Sequence, residues 1–382
     1  MKIVATMIFG LFVIALGGCH KSNQANDHLN IAVRYIDAGN YDEAIASCDT
    51  AIKIDPKNAG AYYNRGLAKC RKGDVDGGIA DYSKAIELNP MLSVAYYARG
   101  AVKISRGDYD GAVADYDKLI DLIPTYAAAY TGRGAAKLGK GDYDAAIADC
   151  TKAVELDPKH SAFYSNRGLA EDEKGDAERA VADYDKAIEL DPKSAVAYYN
   201  RAGLKYNRGD YADAIADCSK AIELYPKYAT AYSRRGATKV YKGDYDGALT
   251  DLDKAIEINP KYEMAYENRA FVKYRKADYE EAIADATRAI QLNPKDENAY
   301  SIRGWAWCSK GDTGRAVEDC QQAVRLHKVG SADAFADQGM LDFINGEYGK
   351  AIAAWENTIQ LDATQKDDVQ PWIDKAKAKL GK

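Results

Sequence analysis

Small, aromatic and charged positions return along this chain with one fixed period. Eight of its nine prolines, Pro56, Pro90, Pro124, Pro158, Pro192, Pro226, Pro260 and Pro294, stand 34 residues apart. Taking each proline as residue 32 of a repeat, repeats begin at 25, 59, 93, 127, 161, 195, 229, 263 and 297, and a tenth, without proline, at 332. A period of this length marks a stack of supersecondary units. Within each unit a Gly-Asp step recurs, as at Gly73-Asp74, Gly141-Asp142 and Gly311-Asp312. The glycine suits a left-handed helix end and the aspartate an N-cap. The proline then stops a second helix. The pattern therefore predicts two antiparallel helices of about 12 to 15 residues per repeat, joined by a tight turn.

The small columns predict where these helices touch. Gly66, Gly100, Gly134, Gly168, Gly236 and Gly304 stand at residue 8 of the first helix, and Ala112, Ala146, Ala180, Ala214 and Ala248 at residue 20 of the second. Glycine inside a helix costs about 1 kcal/mol against alanine, so close helix packing has to offset it. A tyrosine opens most first helices, as at Tyr62, Tyr130 and Tyr266, and plugs the seam between repeats. Arginine at residue 7 (Arg65 to Arg303) and aspartate at residue 23 (Asp81 to Asp319) occur together in repeats two to nine. Both are missing from repeats one and ten, with Ile31/Ser47 and Gln338/Ala354. Co-occurrence predicts a structural ion pair within each inner repeat. The level of residues 7 and 23 across an antiparallel turn predicts the same. The chain's end, Asp368 to Leu380, reads as one more helix with Pro371 in its first turn, Trp372 and Ile373 packed on repeat ten and its lysines in water.

These columns and the texture AYYNRG…KGDYD.AIADY.KAIELNP resemble the tetratricopeptide repeat family across residues 25–364. The resemblance implies an all-α, right-handed superhelical solenoid of about ten helix-turn-helix repeats, with residues 365–382 as a C-terminal capping helix. It also implies a concave groove lined by residues 2, 5, 6, 9, 12 and 13 of the first helices. Here those positions include Tyr63, Asn64, Tyr97, Asn166, Tyr199, Asn200, Tyr206, Arg234, Tyr241, Asn268, Phe271, Tyr274 and Trp305. Tyrosine, tryptophan and arginine are favoured at interfaces, so the expected partners are proteins or peptides. Members of the family that bind chaperones hold a C-terminal carboxylate with a basic and asparagine clamp. Asn200 and Arg234 match two clamp positions, but Ser165, Leu169 and Thr230 stand where lysine or asparagine belongs, which argues against that use.

The first residues follow another rule. Lys2 precedes the apolar run Ile3 to Leu16, interrupted only by Thr6. That length fits a signal-peptide core and is short for a membrane span. Leu16-Gly17-Gly18-Cys19 resembles a bacterial lipobox. The resemblance implies a signal peptide over residues 1–18, lipid on Cys19, a tether over 19–24, and a location at the bacterial cell envelope facing the periplasm. If the host is Gram-negative, His20 after the cysteine favours the outer membrane.

Composition narrows the functional classes. The formal net charge is −6 and no Lys/Arg-rich run exists, so the footprint of a nucleic-acid binder is missing. Tyrosine numbers 29 against 6 phenylalanines, an excess suited to half-buried or touched surfaces. Cys48, Cys150, Cys218 and Cys320 fall at residue 24, where other repeats carry Tyr82, Tyr116, Tyr184, Leu252 and Trp355, and read as packing residues. Gly134 to Gly141 imitates a phosphate loop up to Lys140 but ends without Ser or Thr. The four histidines form no ligand or nucleophile–base pattern. No cofactor, metal or small-molecule substrate is implied. The sequence thus points to a membrane-tethered scaffold of an envelope assembly. The alternative is a lipoprotein that recruits or regulates a cell-wall or polysaccharide enzyme, which a change in that enzyme's rate would reveal.

Overall fold

The structure, a computed structural model, describes residues 20–381. Residues 1–19, with the signal segment and Cys19, lie outside the described residues. Among the described residues there are twenty-one α-helices and no strand. The chain divides into two compact units, residues 1–197 and 198–382.

The first unit holds five helix pairs. They are α1 (His20–Ala38) with α2 (Tyr41–Ile54), α3 (Ala59–Lys72) with α4 (Val75–Leu88), α5 (Ser93–Ser105) with α6 (Tyr109–Leu122), α7 (Ala127–Gly139) with α8 (Tyr143–Leu156), and α9 (Ser161–Lys174) with α10 (Ala177–Leu190). The boundary between the units falls inside α11 (Ala195–Asn207), whose partner is α12 (Tyr211–Leu224). The second unit continues with α13 (Ala229–Val240) and α14 (Tyr245–Ile258), then α15 (Glu263–Arg275) and α16 (Tyr279–Leu292). After these come α17 (Glu297–Ser309) and α18 (Thr313–Leu326), then α19 (Ala332–Ile344) and α20 (Tyr348–Leu361). A 3-10 turn, Ala363–Gln365, leads into α21 (Lys366–Lys379). This is the all-α helix-turn-helix solenoid expected from the period.

The turn chemistry operates at most of the predicted Gly-Asp steps, although Asp142 and Asp210 stand at the N-cap without a side-chain cap hydrogen bond. Gly73, Gly107, Gly175 and Gly311 have φ of 105°, 78°, 92° and 86°. Asp74, Asp108, Asp176 and Asp312 accept hydrogen bonds from the backbone N–H three residues on. Repeat eight departs from this, because Ala277 takes the glycine position at φ 64°. A Cβ in the left-handed region costs about 1–2 kcal/mol, part of which glycine's unfolded-state freedom returns. Ala277→Gly is therefore expected to stabilise the second unit by about 0.5–1 kcal/mol, measurable as slower hydrogen exchange in α15 and α16.

The core lies in the seams. Ala112, Ala146, Ala180, Ala214 and Ala248 are fully buried, and a Cβ on Gly66 would come within 3.0 Å of the Tyr82 ring. Cys48, Cys150, Cys218 and Cys320 are buried free thiols. Burial pushes the thiols of Cys48, Cys150 and Cys218 up to about 12, which keeps them protonated and inert.

Two boundaries differ from the sequence reading. Residues 20–24, read as tether, continue α1, because nothing in Lys21 to Gln24 breaks a helix and Ala25 and Leu29 anchor it on Ala51 and Ala61. The last helix starts at Lys366, not near Pro371, which lies inside it. Asp367 and Asp368 in its first turn favour that earlier start.

Candidate functional site

The charge columns are structural. Arg65 Nε and Nη2 grip both oxygens of Asp81 at 2.8 and 2.6 Å, and the same fork recurs from Arg99–Asp115 to Arg303–Asp319 in all eight inner repeats. Two further members were missed from sequence. A lysine at residue 11 joins the aspartate in six repeats, as Lys69 joins Asp81 at 2.8 Å and Lys239 joins Asp251 at 2.8 Å. The arginine's remaining nitrogen reaches residue 25 of the preceding repeat, which is Asp49, Asp117 or Asp253, or a hydroxyl of Ser83, Ser219 or Thr287. In these six repeats the arginine therefore ties its own two helices to the repeat before. The lysine column, regular in the sequence, was the available signal.

Repeat five breaks this network. Glu171 occupies the lysine position beside Asp183, is 5% exposed, and leaves Oε2 without a hydrogen-bond partner. Burial first, then the neighbouring Asp183 carboxylate, pushes the Glu171 carboxyl up to about 7.

The expected groove residues fall into three settings. In the first unit they are half-buried and engaged with their own neighbours. Tyr63 lies 5.7 Å from Tyr82, and Tyr97 sits between Tyr116 at 5.9 Å and Tyr126 at 6.0 Å. The Asn64 amide donates to Gly60 of its own helix, and Asn166 is half-buried.

In the second unit, α11 and α13 build an aromatic cation site. The Arg234 guanidinium lies 4.4 Å from the Tyr199 ring centroid and donates to the Tyr199 hydroxyl at 3.0 Å. No carboxylate among the described residues pairs with Arg234. Tyr228 lies 5.1 Å from Tyr199, and its buried hydroxyl neighbours that of Thr230. Asn200 is half-buried on the same first helix as Tyr199, and Asn268 donates to Ser233 at 3.3 Å. Tyr206, Tyr211 and Tyr241 cluster beside this, with Tyr211 and Tyr241 stacked at 4.9 Å and Tyr241 47% exposed. A cation held on an aromatic face without a carboxylate of its own suits a negatively charged group.

The third setting is closed. Tyr274 and Trp305 lie against Trp372 of α21, and Phe271 is half-buried under the Arg275 guanidinium. Trp305 is buried and its indole N–H donates to Asp337 at 2.7 Å. Asp337 also accepts from Ser301 at 2.6 Å, with His327 Nε2 3.3 Å from both side chains. These three resemble a hydrolytic triad in composition alone. The serine proton is committed to the aspartate, and the imidazole is not placed between them to take it. Among the described residues no group of three or more His, Cys, Asp or Glu is placed to hold a metal. The phosphate-loop imitation lies in α7 and the turn after it.

Paired helices, nearly all of 12 to 14 residues, stacked seam to seam with a tyrosine-rich first-helix face, define a repeat protein of the kind that contacts other proteins. The TPR repeat profile matches residues 34–73, 102–141 and 238–276, and tetratricopeptide repeat profiles match 59–90, 127–160, 165–229 and 268–329. Together these cover more than half of the chain, which belongs to the tetratricopeptide repeat family. No curated protein sequence matches the chain. Among solved structures, a tetratricopeptide repeat protein from Parabacteroides merdae is 21% identical with TM-score 0.57, covering 65% of this chain and 99% of that one. Cut9–Hcn1 of the APC/C is 14% identical with TM-score 0.58, covering 93% and 90%. PilF of Pseudomonas aeruginosa is 20% identical with TM-score 0.50, covering 56% and 97%. At these identities the likeness is one of fold.

Proposed function

We propose that this protein is a protein-binding scaffold held at a bacterial envelope membrane by lipid on Cys19, and that it takes acidic partner segments at Arg234. The tetratricopeptide fold supplies the general role. The observation that carries the specific reading is Arg234, a cation without a carboxylate partner among the described residues, set on the Tyr199 ring. Every arginine of the residue-7 column is spent on an aspartate, whereas Arg234 at residue 6 is available for an incoming anion. Leu16-Gly17-Gly18-Cys19 after the apolar run supports the anchor.

Affinity purification of the full chain from detergent-solubilised membranes tests both parts. Arg234→Glu is expected to lose the specific partners; because it also gives up the Tyr199 cation–π contact and hydrogen bond, retained helical circular dichroism and retained exchange protection of α15 to α18 are the controls for folding. Cys19→Ser is expected to lose labelled palmitate and membrane association. Unchanged partners in the first variant would remove Arg234 from the site. Unchanged palmitate in the second would remove the anchor.

A further inference from the structure

Among the described helices, α21 alone is not half of a repeat. It packs along α20 and buries Val369, Trp372, Ile373 and Ala376. Trp372 reaches well past repeat ten. Its ring lies 5.4 Å from Phe343 and 6.4 Å from Trp305, and its indole N–H donates to the Tyr274 hydroxyl at 3.2 Å. Asp368, one turn earlier, pairs with Arg275, which also lies over Phe271. Phe343, Trp305 and Tyr274 belong to α19, α17 and α15, three successive first helices. One short helix thus engages three repeats through an aromatic anchor and a carboxylate four residues before it, a spacing that puts both on one helix face.

Two features make α21 a replaceable occupant of this surface rather than a rigid continuation of the stack. Pro371 inside it removes a backbone donor and crowds the carbonyl of Asp367. No side chain caps its N-terminus. A single helix of 14 residues with an internal proline does not hold itself, so α21 is helical because it is docked. Its outer face is water-exposed, with Lys375, Lys377 and Lys379. The short turn after α20 keeps it at high effective concentration over the surface.

We infer that the face formed by α15, α17 and α19 is a receptor for an amphipathic helix of a partner protein that carries a carboxylate four residues before an aromatic, and that α21 is its occupant in cis, displaced when the partner binds. This rests on the protein-binding reading above but uses none of the Arg234 site. The charge on Arg275 selects the acidic residue, and the aromatic pocket of Tyr274, Trp305 and Phe343 takes the ring.

The test uses the full chain and a fluorescent peptide of residues 363–380. Wild-type chain is expected to bind the peptide weakly, because α21 covers the site. A chain carrying Asp368→Lys, alone or with Trp372→Ala, is expected to bind it at least tenfold more tightly. Hydrogen exchange should then show α21 exposed and α15, α17 and α19 still protected. In a chain loosened instead by Asp368→Ala with Trp372→Ala, where no cis lysine can meet the new glutamate, adding Arg275→Glu should abolish the gain, and a peptide with Asp368→Lys should restore it. Protection retained without tighter binding in both loosened chains would overturn the inference. Loss of protection across α15 to α19 in the milder Asp368→Lys chain would also overturn it, by making α21 an integral part of the fold. Neither result would touch the Arg234 experiment, so the two readings fail separately.

Discussion

Arg303→Leu is expected to destabilise the second unit by about 3–5 kcal/mol, and adding Asp319→Leu should return most of that loss. Asp319 is 7% exposed and receives the Arg303 fork at 2.8 and 2.7 Å. Repeat nine carries Trp307 where other repeats carry the lysine, and Arg315 is engaged with Asp312 and the Trp307 ring. Removing Arg303 therefore leaves a buried carboxylate with no cation, and removing both partners leaves two apolar side chains in a seam that accepts them. Repeat seven supplies the control. There Lys239 stays 2.8 Å from Asp251 when Arg235 is replaced, so Arg235→Leu should cost only about 1.5–3 kcal/mol, the range for one charged hydrogen-bonding group. Repeat arrays need not unfold as one, so hydrogen exchange in α17–α18 and α13–α14 is the proper readout. Equal costs at the two arginines would show that the lysine does not share the load. Additive effects in the Arg303/Asp319 cycle would show that the pair is not coupled.

Glu171→Lys should stabilise the first unit by about 2–3 kcal/mol near pH 7.5 and by little near pH 4.5. The Glu171 carboxyl is raised from its ordinary 4.5 to about 7 in the folded chain. Between these values the folded state holds the proton and the unfolded state does not. Stability from this site is thus intact below about pH 4.5, falls as pH rises, and is lost above about pH 7. Lysine in its place would complete the arginine–aspartate–lysine arrangement seen in six other repeats and remove that pH dependence. Exchange protection of α9 and α10 across this range checks it. A wild-type profile flat from pH 5 to 7.5 would count against the buried-acid account. Glu171→Gln distinguishes charge from lysine's new ion pair, since it should remove the pH slope with a smaller gain.

The groove positions were legible in the sequence only as places, not as contacts. Tyr199 and Arg234 were both among them, but their cation–π pairing joins two successive repeats, and nothing in either repeat alone requires it. Trp305 was expected to face a partner, yet the acid that holds its indole, Asp337, comes from the next repeat, at a position held in repeat seven by Arg234 and in repeat eight by Asn268. Residue identity at a groove position cannot say whether a neighbouring repeat has already claimed it.

The sequence by itself determined the repeat. Proline, glycine and small-residue columns fix where each helix stops and how near its partner lies, because those demands are local and recur every 34 residues. The Arg–Asp pairing within each of repeats two to nine was determined in the same way, since residues 7 and 23 are level across one antiparallel turn. The tertiary structure decided what the period cannot carry. The third contact that six of the arginines make depends on the stacking offset between repeats. The resting place of Trp372 depends on a surface assembled from three separate first helices, with its partner Tyr274 98 residues away along the chain. Contacts of that range obey no spacing rule, because they form only after the intervening repeats have set the distance between them.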